Sequence, residues 1–120
     1  SIDIQNSQIH IPSSGGNTAI GNGWQVYYNR ESCIRIANSE VSVRCASLGP
    51  AIGAAWDSGS GRINILIENS TVTAKGGNLR TDGNYVPGIG KNALGRAPEI
   101  GIQILNSTVD SFQCDQIHFQ

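Results

Sequence analysis

The chain has no methionine, few aromatic residues (6%) and few charges (14%), and its eight basic residues nearly balance nine acidic ones. A balance so close to neutral gives no basic patch with which to hold nucleic acid or an anionic membrane surface. No apolar run approaches the roughly 20 residues that a membrane-spanning helix needs. The three cysteines, Cys33, Cys45 and Cys114, show no Cys-x-x-Cys or Cys/His spacing of the zinc-binding kind. An odd count leaves one intrachain disulfide as the most a single chain can form. Cys33 with Cys45 is the local choice, and Cys114 is then free or bonded to another chain. No metal site is expected. Calcium is the one ion to consider, and no Asp-x-Asp-x-Asp run offers the carboxylates it favours.

What the sequence does have is glycine, fifteen of them among 120 residues, together with Asn, Ser, Ile and Val. One sentence recurs four times. Ile2-Asp3-Ile4-Gln5-Asn6-Ser7-Gln8-Ile9-His10-Ile11 is the first copy, and equivalent stretches open at Ile34, Ile65 and Ile102. Aligned on their Asn, at positions 6, 38, 69 and 106, the copies are 32, 31 and 37 residues apart. A second motif keeps the rhythm as Ala19-Ile20-Gly21, Ala51-Ile52-Gly53 and Gly88-Ile89-Gly90. Periods of this length mark repeat architectures.

The apolar positions alternate with period two, and β-branched residues fill them, so each unit reads as short strands. The first two strands of a unit are separated by a single Asn-Ser step, too short for a hairpin reversal. That step is a corner, where Asn tolerates the left-handed conformation a sharp bend requires. The predicted fold is all-β: a right-handed parallel β-helix, or β-solenoid, of about four coils. Residues 1–120 form one domain, with coils starting near Ile2, Ile34, Ile65 and Ile102 and with 112–120 as a cap or partial coil. Asn6, Asn38, Asn69 and Asn106 are expected to form a bonded Asn ladder. The chain opens inside a strand pattern at Ser1-Ile2, which reads as a segment of a longer protein or one that self-associates.

The order Ile-x-Ile-x-Asn-x-x-Val-x-Val resembles the repeats of pectate-lyase-like right-handed parallel β-helices. With the Ala-Ile-Gly stretch added, it also resembles repeats of bacterial cell-surface and carbohydrate-binding proteins. The resemblance implies an extracellular or cell-surface location and a polysaccharide partner. It also implies a glycan groove along the sheet that carries the Ala-Ile-Gly strands.

Trp24 and Trp56 each lie four residues after the central Ile of that strand, at Ile20 and Ile52, so they share a column. Stacked aromatic rings suit the faces of sugars. Tyr27, Tyr28, Arg30 and Arg62 are the neighbouring candidates for ligand contacts. Asp57, Asp82 and Glu99 are the carboxylates from which a paired-acid mechanism would have to draw. The function expected from these features is a non-catalytic structural and recognition module that binds a glycan on the face of Trp24 and Trp56. The alternatives are a polysaccharide lyase or glycoside hydrolase, and a purely structural filament or surface-layer subunit. Further copies of the chain, or flanking repeats, are expected partners. The sequons at Asn69 and Asn106 fall on the Asn column and read as structural.

Overall fold

The computed structural model describes residues 1–15, 17–23, 29–45, 49–77, 86–92, 95–112 and 118–119. Its strands are β1 (Ile2–Gln5), β2 (Gln8–Ile11), β3 (Ile20–Asn22), β4 (Glu31–Ala37), β5 (Glu40–Arg44) and β6 (Ile52–Ala54). They continue as β7 (Arg62–Glu68), β8 (Thr71–Lys75), β9 (Ile89–Lys91), β10 (Glu99–Leu105), β11 (Thr108–Phe112) and β12 (His118–Phe119). Three sheets result, ordered β1-β4-β7-β10-β12, β11-β8-β5-β2 and β3-β6-β9. Every pairing is parallel, between strands of successive repeats.

Alternation explains the core. Ile63, Ile65 and Ile67 on β7 are buried, while Asn64, Leu66 and Glu68 between them are partly exposed. Register then stacks like on like. Ile34 pairs with Ile65 and Ile65 with Ile102; Val41 pairs with Val72 and Val72 with Val109; Ile52 pairs with Ile20 and Ile89. The three inward faces meet in one apolar cluster that includes Ile36, Ile52, Ile67, Val72 and Ile89.

The expected right-handed β-solenoid of about four coils with an Asn ladder is corrected. The described residues form a compact all-β globule of three parallel sheets with five, four and three strands, measuring 34 × 27 × 21 Å along its principal axes. Among the described residues the third sheet holds three strands, and the Asn column is not bonded throughout. Among the described residues a single amide–amide bond joins it, from Asn106 Nδ2 to Asn69 Oδ1 at 2.7 Å.

The reason lies at the corner. Asn6, Asn38, Asn69 and Asn106 all have positive φ, between 48° and 52°. In that conformation they turn outward, and all four are exposed. The sequon residues Asn69 and Asn106 are therefore on the surface rather than in a buried ladder. The inward position falls to the serine that follows. The backbone amides of Ser7, Ser39 and Ser70 donate to the hydroxyls of Ser39, Ser70 and Ser107 at 3.0–3.1 Å. Each of the four hydroxyls donates to the carbonyl two residues before it, at 2.7–2.8 Å.

Ser70→Ala removes one rung of this ladder and leaves the Ser39 amide without a partner, while the Glu68 carbonyl keeps only the Asn38 amide, at 3.1 Å. Ser39 and Ser70 are buried, so water does not replace the lost hydroxyl freely. The expected loss is about 1–3 kcal/mol of stability, read from the midpoint of urea denaturation at an unchanged slope.

The expected Cys33–Cys45 disulfide is also corrected, since both are free thiols. Cys45 shares the inward parity of Val41 and Val43 and is fully buried. Cys33 lies between Ser32 and the buried Ile34, on the opposite parity, so its side chain leaves the other face of the chain. Cys114 lies outside the described residues.

Candidate functional site

The serine ladder positions an open groove of about 1070 Å³ along the corner between the first and second sheets. Its floor is the Asn-Ser column. One wall is the column formed by the first residues of β2, β5, β8 and β11: Gln8, Glu40, Thr71 and Thr108. These four are in register across the second sheet and all are exposed. The groove thus offers amide, hydroxyl and carboxylate groups at repeats of about 4.8 Å, the distance between neighbouring strands. Small-molecule pockets are mostly apolar and enclosed. An open polar trough with a regular repeat suits an extended chain that carries hydroxyl groups.

A second depression of about 490 Å³ adjoins it on the outer face of the second sheet. Gln8, Glu40 and Thr71 line both, and His10, Ser42 and Thr73 continue the second. Gln8 Nε2 lies 3.5 Å from Glu40 Oε2, so the first two repeats are loosely joined along the wall.

The outer face of the first sheet is a charged lattice. Arg62 donates to Asn64 Oδ1 at 2.8 Å and to Glu99 Oε2 at 3.1 Å, and Asn64 donates to Glu31 Oε1 at 2.7 Å. Arg35 donates to Glu68 Oε1 at 3.0 Å and lies 3.7 Å from Asp3 Oδ1. The hydrogen bond to Glu68 holds the Arg35 guanidinium above its ordinary pKa, with desolvation opposing it and the charges of Glu68 and Asp3 adding to it. The pair is partly exposed, so it organises the surface more than it stabilises the fold.

The described residues among those singled out from the sequence fall into two groups, Arg30 with Arg62 and Glu99, and Trp56 with Asp57. Trp24, Tyr27, Tyr28 and Asp82 lie outside the described residues. Trp56 is half-buried in the turn after β6. Arg30 is exposed, and its backbone carbonyl accepts a hydrogen bond from the Arg62 amide at 3.1 Å. Arg62 and Glu99 are joined to one another. Asp57 has a positive φ of 49° and accepts a hydrogen bond from the Arg96 amide at 2.9 Å, with the Arg96 side chain 3.6 Å away. It fastens the 95–96 turn to the end of β6. Asp57 and Glu99 are thus held by different arginines. No group of three or more His, Cys, Asp or Glu side chains suited to a metal ion occurs among the described residues. Nor does any helix among them have the length and apolarity to cross a membrane.

Sequence reasoning passed over Gln8, Glu40, Thr71 and Thr108. The available signal was their position two residues after each corner Asn, where the polar character persists while the residue type changes. The serine after each corner Asn was an even plainer signal, being identical in all four copies. No family model, curated protein or solved structure matches this chain.

Proposed function

We propose that the chain is a non-catalytic structural and recognition module, working outside the cell or at its surface, that binds a glycan along the Asn-Ser corner. The observation that carries this reading is the polar groove of about 1070 Å³ that crosses all four repeats. Sugar hydroxyls both donate and accept, and the groove offers both functions at each step: Asn and Gln amides, Thr hydroxyls and the Glu40 carboxylate. The non-catalytic character rests on Asp57 and Glu99, each engaged with its own arginine rather than with the other acid. The repeat also suits extension. Ile2 on the edge strand β1 is 36% exposed, and further copies or flanking repeats placed there would lengthen the groove.

The test is a glycan-array screen of the intact chain beside a Thr71→Ala, Thr108→Ala double variant and a Trp56→Ala variant, with circular dichroism establishing that all three are folded. The expected result is binding by the parent chain, weakened about tenfold or more in the double variant and little changed by Trp56→Ala. That size corresponds to losing two hydrogen bonds at about 1 kcal/mol each. Binding that survives the double variant and disappears with Trp56→Ala would move the site to the loop after β6.

A further inference from the structure

Among the described residues that line the groove, Glu40 is the one acidic side chain. It stands in the second repeat and borders both the corner groove and the adjoining depression. Among the described residues, no lysine or arginine lines either one. The nearest arginine on the first sheet, beside the corner, is Arg35, and its guanidinium is already engaged by Glu68 and Asp3. Further along the outer face of the second sheet the exposed Asp110 of β11 is offset by the exposed Arg44 and Lys75 at the far ends of β5 and β8, so the negative character belongs to the corner groove itself, where Glu40 stands.

From this charge pattern we infer that the groove takes an uncharged polyhydroxyl chain and rejects polyuronates, with Glu40 as the residue that sets the preference. The inference rests on the glycan reading above and names its substrate class. A carboxylate only accepts hydrogen bonds, and sugar hydroxyls donate to it in charge-assisted bonds. A uronate carboxylate laid in the same trough meets, among the described lining residues, neutral amides and hydroxyls but no lysine or arginine. It also faces Glu40, a like charge. Specificity of this kind comes from an unfavourable element built against the wrong ligand. One pair of like charges about 4 Å apart in water amounts to about fivefold in affinity, and a polyuronate presents more than one charge to the groove.

The test is affinity electrophoresis of the intact chain at low ionic strength, so that salt does not screen the effect, with a chelator present so that no divalent cation bridges two carboxylates. One set of gels contains neutral glucan, xylan, galactan or mannan, and the other contains polygalacturonate. The parent chain is expected to be retarded by a neutral polymer and not by polygalacturonate. Glu40→Gln is expected to raise the affinity for polygalacturonate about fivefold or more and to lower that for the neutral polymer, which loses its charge-assisted bonds to the carboxylate, so that the preference narrows from both sides. Equal retardation of the parent chain by both polymer types overturns the inference and leaves the glycan reading standing. So does a Glu40→Gln variant whose preference is unchanged. Retardation by none of the polymers, with the chain folded by circular dichroism, overturns the glycan reading itself and the inference with it.

Discussion

Gly53→Ala is expected to destabilise the protein by about 3 kcal/mol or more and to leave little folded chain at 37 °C. Two independent effects coincide at this residue. Its φ is 132°, a region that residues with a side chain enter only with strain of about 1–3 kcal/mol. A Cβ added there would also stand 1.8 Å from the carbonyl oxygen of Gly90 on β9. That oxygen belongs to the backbone of the neighbouring strand, so relief requires β6 and β9 to separate. Gly21 stands in the same relation to Gly53, with its added Cβ 1.9 Å from the Gly53 oxygen. The whole third sheet therefore depends on close backbone approach along one glycine column. Gly15→Ala is the control, because Gly15 also has a positive φ of 72° but nothing lies within 4 Å of the added Cβ. It is expected to cost about 1 kcal/mol, from strain alone. Thermal melts of the two variants beside the parent chain measure the difference.

Ile67→Ala is expected to cost about 2–5 kcal/mol, and Ile67→Val about 0.5–1.5 kcal/mol. Ile67 is fully buried and lies in register between Ile36 on β4 and Ile104 on β10. Three isoleucines thus stack at strand spacing, and deleting the middle one opens a cavity walled on both sides by paired strands. Those strands are fixed by their ladder bonds and collapse little, which places the Ala variant in the upper half of the range. Leu66→Ala on the same strand is the comparison. Leu66 is only partly buried, on the outer face, and its truncation is expected to cost less than half as much. Urea denaturation reads all three, with the midpoint shifting at an unchanged slope.

Much of the strand pairing could be read from the sequence, because side chains in a strand alternate and like residues stack in parallel register. The columns Ile34–Ile65–Ile102, Ile9–Val41–Val72 and Ile20–Ile52–Ile89 all appear as paired residues. The left-handed corners at Asn6, Asn38, Asn69 and Asn106 were readable for the same reason, since few other residues tolerate that bend. Which way the corner side chain faces was not readable. A residue in the left-handed conformation interrupts the alternation, so the period-two rule cannot say whether Asn or the following Ser turns inward. The serine hydroxyl, not the Asn amide, carries the ladder. A local repeat extended into a regular stack of coils does not give the overall form, three sheets of unequal strand number. Column counting says which strands pair, but not how many strands each sheet holds. The disulfide expectation weighed nearness in sequence and overlooked parity, although Cys33 is out of phase with Ile34 while Cys45 is in phase with Val43. As for the ligand face, the matched positions of Trp24 and Trp56 identify a shared column. They do not reveal the half-buried setting of Trp56 or the larger polar groove at the Asn-Ser corner.

The most direct test of the groove is a two-dimensional amide NMR titration of the intact chain with a neutral oligosaccharide chosen from the polymer that binds best. The groove reading predicts shifts confined to the amides of the corner and its wall, at Asn38, Ser39, Glu40, Asn69, Ser70 and Thr71, with the Trp56 indole signal unmoved. Shifts centred on Trp56 and the turn after β6, with the corner amides unmoved, would contradict it.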